Sequence, residues 1–152
     1  MAPWTELFLY EAARAEHVEK TIIPALKKGW IVVCDRFTDS SLAYQAHARK
    51  LPWKEVKNLN HLATKGIKPD LTVLLDINPA LGLKRATVKS RFEKEGVLFQ
   101  KTVRRGFLKA RAENPGRWLR LDVHKNKPNE LAEKVFKKIE KKLLRVIHGK
   151  YS

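Results

Sequence analysis

An acid and a base, Asp35-Arg36, stand directly after the apolar run Trp30-Ile31-Val32-Val33-Cys34. A short run of this kind reads as a buried strand, and an open α/β sheet places its ligand chemistry at the C-terminal ends of its strands. A guanidinium at such an edge suits a phosphate, because its fork can hold two oxygens at once. Upstream, Tyr10 and Arg14 are four residues apart, so on a helix they share one side. A ring and a guanidinium there could form a nucleobase platform, one stacking and the other hydrogen bonding. The same spacing also suits an ordinary surface aromatic–cation pair. Asp76 and Asp122 close two further apolar runs. Three strand ends would then each carry an aspartate, although Asp is also common in strand-to-helix turns.

These residues need elements to hold them. From Pro3, which suits a first helical turn, Leu7, Leu9, Tyr10, Ala13, Val18, Ile22, Ile23 and Leu26 predict a helix with a mostly buried face to Lys28. Pro24 would bend or break it, and Gly29 suits the left-handed position that ends it. Residues 30–34 follow as a strand, 40–49 as a helix, and 51–64 as a second helix closed by Gly66. Residues 71–76 form the next buried strand. Asn78 caps a helix with Pro79 at its first position, running to about Val88. A charged stretch interrupts before a helix over 97–113, a turn at Pro115-Gly116, a third strand over 118–122, and an amphipathic helix over 129–147. Strands alternating with helices imply a parallel sheet, and right-handed crossovers would align the three strand ends on one edge.

The chain has 152 residues and is 43% hydrophobic, enough for a single domain with a real core. It has no run of eighteen apolar residues and no basic-plus-apolar leader, so a cytoplasmic protein without membrane partners is expected. Cys34 is the only cysteine; it reads as a small buried strand residue and leaves no disulfide or cysteine-based metal site. The five histidines have no metal-ligand spacing, and His47 reads as a surface residue rather than a base. The net charge of +16 is uneven: residues 81–152 hold 21 basic and 7 acidic side chains. Such a half fits a polyphosphate ligand, nucleic acid, or simply a solvated lysine-rich surface.

Several strings together are more specific. They are Glu6-Leu7-Phe8-Leu9-Tyr10-Glu11-Ala12-Ala13-Arg14, Asp35-Arg36-Phe37 through Ser40-Ser41-Leu42-Ala43-Tyr44-Gln45, Leu59-Asn60 through Ala63-Thr64, Lys68-Pro69-Asp70 through Leu75-Asp76, and Arg91-Phe92-Glu93. Over nearly its whole length the chain resembles the thymidylate kinases, which phosphorylate dTMP to dTDP with ATP. The resemblance implies a P-loop-kinase-like three-layer α/β fold with a parallel sheet. It implies that Tyr10 stacks on thymine, Arg14 hydrogen-bonds the base, and Arg36 holds the dTMP phosphate with Asp35 beside it near the magnesium. Ser41 and Gln45 match positions at the thymine edge, and Tyr44 matches the ring that packs on the deoxyribose and disfavours a 2′-hydroxyl. Residues 89–96 resemble the lid, with Arg91 as the arginine that neutralises the transferring phosphoryl group, Glu93 in the Arg-x-Glu pattern, and Arg85 packing on adenine. ATP, Mg²⁺ and a homodimer are implied for the complete fold.

The resemblance starts inside the family's pattern. None of the seven glycines lies in a Gly-x-x-x-x-Gly-Lys-Ser/Thr loop, and the strand that would lie between residues 30–34 and 71–76 has no counterpart. The expectation is an N-terminally truncated form lacking the first two strands and the P-loop, with little kinase activity by itself and unpaired inner strand edges. One subunit of a split kinase, completed by a separate P-loop-bearing chain, is an alternative. A basic nucleotide- or nucleic-acid-binding module is another. It accounts for the charge but not for the Asp-Arg-Phe or Ser-Ser-x-Ala-Tyr-Gln strings, so a nucleic-acid partner is not expected.

Overall fold

The computed structural model describes residues 1–85 and 91–148. Helix α1, Pro3–His17, continues through a π-helical stretch, Val18–Ile22, into α2, Ile23–Lys27. The wide turn lies immediately before Pro24, which has no N–H to offer the ladder. Gly29 ends the run at φ +75°, as its lack of a Cβ permits. The buried stripe on this run is Leu7, Glu11, Val18 and Ile22, with Glu6 beside it. Leu9, Tyr10 and Leu26, expected on the buried face, are instead 56%, 43% and 44% exposed. Two glutamates take the inner positions because donors meet them there, Gln45, Arg49 and Arg91 at Glu6, and Ser41 together with Arg14 of the same helix at Glu11.

Helix α3, Thr38–Ser41, passes into a second π-helical stretch, Leu42–Ala48, and α4 spans Trp53–Ala63. Strand β1, Thr72–Asp76, leads to α5, Pro79–Arg85, where Asn78 Oδ1 accepts the Ala80 N–H at 3.0 Å. The helix predicted to reach Val88 is described as far as Arg85; 86–90 lie outside the described residues. Helix α6, Gly96–Glu113, strand β2, Trp118–Asp122, and helix α7, Pro128–His148, complete the chain. The core joins Leu7, Leu42, Ala46, Leu51 and Val56 to Ala110 and Trp118. A second cluster of Ala43, Tyr44 and Val103, flanked by Phe92, Phe99 and Phe107, lies beneath the candidate site.

The sheet has two strands among the described residues. β1 and β2 run parallel in register from Thr72↔Trp118 to Asp76↔Asp122. The third expected strand does not form. Residues 30–34 are irregular and unpaired, with Trp30 and Ile31 each 62% exposed and Val33 87%. A strand persists only when a neighbour takes up its backbone groups, and among the described residues no strand pairs with this run. Cys34 is accordingly half-buried rather than a core residue, and Asp35 does not join Asp76 and Asp122 on a shared sheet edge.

Candidate functional site

Helix α1 brings Arg14 to the start of α3. Its side chain is 9% exposed, and its four terminal N–H groups are all engaged. Nη1 donates to Glu11 and, at 2.8 Å, to Asn60 Oδ1; Nη2 donates to Ser41 Oγ at 3.0 Å and to the Phe37 carbonyl at 3.4 Å. Ser41 in turn donates to Glu11 Oε1 at 3.0 Å. One turn further, Gln45 Nε2 donates to Glu6 Oε1 at 2.8 Å. Arg14 and Ser41 thus share the buried Glu11, 6% exposed, and Gln45 meets the buried Glu6, 2% exposed, one turn away. In sequence those two carboxylates, and Asn60, appear only inside the quoted strings, with no role of their own. The available signal was the spacing of Glu11 three residues before Arg14, which on a helix puts acid and base side by side.

Phe92 links the remaining residues. Its ring stacks on Tyr10 with centroids 6.4 Å apart and meets the Tyr44 ring edge-on at 4.8 Å. The Arg36 guanidinium lies over the Tyr44 ring at 5.2 Å. Tyr10, Tyr44 and Arg36 therefore flank one aromatic cluster. The backbone at Arg36 is left-handed, φ 65°, a conformation costing a non-glycine residue about 1 kcal/mol or more. The Cys34 thiol donates to the Arg36 carbonyl at 3.3 Å; burial raises its pKa, which keeps the proton on sulfur for that bond. Asp35 and Arg36 are both exposed.

Of the predicted lid, residues 91–96 are described, while 89 and 90 lie outside the described residues. Arg91 reaches inward: Nη2 donates to Glu6 Oε2 at 2.6 Å, and its guanidinium lies 5.1 Å from the Phe92 ring centroid. Arg49 bonds Glu95 Oε1 at 2.6 Å and reaches Glu6 Oε2 at 3.5 Å. The bond between Arg49 and Glu95 raises the Arg49 pKa and lowers that of Glu95. Glu93 opens the 3-10 turn Glu93–Glu95; its side chain lies outside the described set. His47 is half-buried, and burial followed by Lys109 and Arg105 lowers its pKa, so its imidazole is neutral near pH 7.

Asp76 and Asp122 do different work. Asp76 is 6% exposed. It accepts Arg104 Nε at 2.5 Å, Arg104 Nη2 at 2.9 Å and Arg120 Nε at 2.8 Å. These bonds, led by Arg104, hold its carboxyl below the usual aspartate range against the opposing effect of burial. Asp122 Oδ1 caps the following turn by accepting the His124 N–H at 2.8 Å. Arg85, away from the Phe92 cluster, lines a cavity of about 450 Å³ with the β2–α7 turn, including His124, Lys125, Asn126 and Lys127. No helix among the described residues is long and apolar enough to cross a membrane.

A small parallel sheet among helices, with an arginine-rich aromatic site at one side, is consistent with a P-loop-kinase-like α/β protein. A family model described as Thymidylate kinase matches residues 1–148. A thymidylate kinase of Synechococcus sp. (strain JA-3-3Ab) is 44% identical over 147 residues, covering 97% of this chain and 72% of that protein. That of Synechococcus sp. (strain JA-2-3B'a(2-13)) is 46% identical over 142 residues, covering 93% and 68%. That of Geotalea daltonii is 48% identical over 132 residues, covering 80% and 62%. The chain belongs to the thymidylate kinase family, phosphotransferases that convert dTMP to dTDP.

Proposed function

We propose that this chain carries the dTMP-binding and lid portion of such a kinase as a single domain. One observation carries the reading: Tyr10, Arg36, Tyr44, Gln45 and Arg91 belong to one set of ring contacts and hydrogen bonds around Phe92 and Glu6, and Arg14 and Ser41 meet at Glu11 on the neighbouring turns of the same two helical runs. In this reading Tyr10 stacks on thymine, Arg14 donates to the base, and Ser41 and Gln45 meet its edge. Tyr44 packs on the deoxyribose, where a 2′-hydroxyl would find no partner. Arg36 holds the phosphate beside Asp35. Arg91 exchanges Glu6 for the transferring phosphoryl group when nucleotide is bound. Glu93 keeps only its place in the motif.

Arg85 and the cavity beside it support an ATP nucleoside site, where the guanidinium would lie along the purine. The family generally uses ATP with Mg²⁺. Among the described residues no three His, Cys, Asp or Glu side chains gather as a cation site, and the 152 residues hold no Gly-x-x-x-x-Gly-Lys-Ser/Thr cradle. These 152 residues by themselves give little turnover in this reading. The unpaired, apolar residues 30–34 favour completion by a P-loop-bearing segment or chain, and exposed Phe8 and Leu9 on α1 favour pairing with a second copy.

The test is dTMP titration by calorimetry alongside coupled ADP release on the homogeneous 152-residue chain. Binding of dTMP lost in Arg36→Ala, with turnover near background, is the expected result. Failure to bind dTMP, or turnover that Arg36→Ala abolishes, contradicts the reading in its binding or its activity part respectively.

A further inference from the structure

Two carboxylates stand behind the residues proposed to read the base, and their chemistry fixes what that edge can accept. A carboxylate can only accept hydrogen bonds. Gln45 must therefore turn its Nε2 end toward Glu6 Oε1, 2.8 Å away, and present its Oε1 end on the other side. The single hydroxyl proton of Ser41 goes to Glu11 Oε1 at 3.0 Å. Ser41 Oγ can then only accept; one lone pair takes Arg14 Nη2 at 3.0 Å and one is left. Glu11 Oε2 is buried with no hydrogen-bond partner, one more acceptor in the same cluster. Arg14 can only donate.

We infer that Glu6 and Glu11 are positioning residues that set the hydrogen-bond polarity of this edge, so that it selects an imide pyrimidine, one with a donor at N3 and an acceptor at O4. The inference rests on the dTMP reading above and deepens it. Thymine and uracil offer N3–H to the acceptors Ser41 Oγ and Gln45 Oε1, and O4 to Arg14, whose Nη2 gives up its long 3.4 Å contact with the Phe37 carbonyl to donate to it. Cytosine offers an acceptor at N3 and donors at its 4-amino group, so both contacts become like against like. Ser41 and Gln45 are 1% and 2% exposed, and water cannot repair such a mismatch in a buried site. A site built to hydrogen-bond rejects the wrong partner by large factors for that reason.

The experiment is calorimetric titration of the full chain with dTMP, N3-methyl-dTMP and dCMP, repeated for E6Q and E11Q. An amide at either position can donate, which frees Gln45 or Ser41 to reverse. The unmodified chain should bind dTMP at least roughly 100-fold more tightly than either analogue. Each variant should lower the dTMP-to-dCMP ratio about tenfold or more. E11Q placed in Ser41→Ala should change the ratio no further than Ser41→Ala alone, because Glu11 acts through that hydroxyl. N3-methyl-dTMP binding within about threefold of dTMP overturns the inference without any variant. An unchanged ratio in E6Q and E11Q, both folded by circular dichroism, overturns the part assigned to the glutamates. Should E11Q not fold, Ser41→Ala decides: it must weaken dTMP and not dCMP, and equal weakening of both counts against the inference. Binding of none of the three nucleotides removes the dTMP reading itself, and this inference with it.

Discussion

Gly106 lies where α6 crosses the π-helical stretch that carries Tyr44 and Gln45. A Cβ built there would sit 2.8 Å from Ala43 Cα, 2.8 Å from His47 Cβ and 2.9 Å from the Ala43 carbonyl oxygen. Ordinary carbon contacts are about 3.5–4.0 Å, and two of these three atoms are backbone and cannot rotate away. Overpacking of this kind costs roughly 1–3 kcal/mol. Replacing a mid-helix glycine with alanine gains about 1 kcal/mol of propensity. Three simultaneous clashes, two of them with backbone, put the overpacking cost at the upper end of its range, about 2–3 kcal/mol, so Gly106→Ala should destabilise the chain by about 1–2 kcal/mol net in urea unfolding. The strain has to be relieved by moving α6 away from residues 42–48, so dTMP affinity should fall as well. An alanine variant as stable as the parent, or more so, would refute the close crossing and with it the placement of Tyr44 and Gln45.

Asp39 takes a two-point contact from Arg117, at 2.7 and 2.8 Å, and a bond from Thr72 Oγ1 at 3.0 Å, tying α3 to the start of β1. Asp39→Ala leaves the mostly buried Arg117 uncompensated and should cost about 3 kcal/mol, read as a lower urea midpoint at constant slope. The Asp76 carboxyl is depressed by Arg104 and then Arg120. The stability it adds is present above the unfolded aspartate pKa, near 4, and is lost as pH falls through its lower folded value. With partners 40% and 43% exposed the contribution is about 1 kcal/mol. Acid titration of stability should therefore show a limb below pH 4 that is shallower in Asp76→Asn. Val33, 87% exposed beside Trp30 and Ile31, lies in an unpaired apolar run that templates association; Val33→Lys should lower concentration-dependent light scattering without shifting the unfolding midpoint by more than about 0.5 kcal/mol.

Much of the architecture was legible because local signals agreed. Asn78-Pro79, Gly29 and the apolar runs at 72–76 and 118–122 each name their element without help from distant residues. Residues 30–34 read as a strand for the same reason and do not form one, because pairing is a property of neighbours rather than of composition. The face of α1 was misplaced since hydrophobicity alone puts Leu9 inside and Glu6 and Glu11 outside. Their burial becomes intelligible only once Gln45, Ser41 and Arg91 supply donors from other parts of the chain, beside Arg14 on the same helix. Phe92 was visible only as part of a motif. Its place between Tyr10 and Tyr44 depends on how residues 91–95, leading into α6, pass over α1.

The central claim is that Tyr10, Arg14 and Arg36 grip one pyrimidine nucleotide at a shared site. Its most direct test is amide chemical-shift mapping of the isotopically labelled chain as dTMP is added. Shifts that saturate at Tyr10, Arg14, Arg36 and residues 41–45, with α7 unmoved, are the expected outcome. Shifts confined to the basic surface of α7, or scattered without saturation, would contradict it.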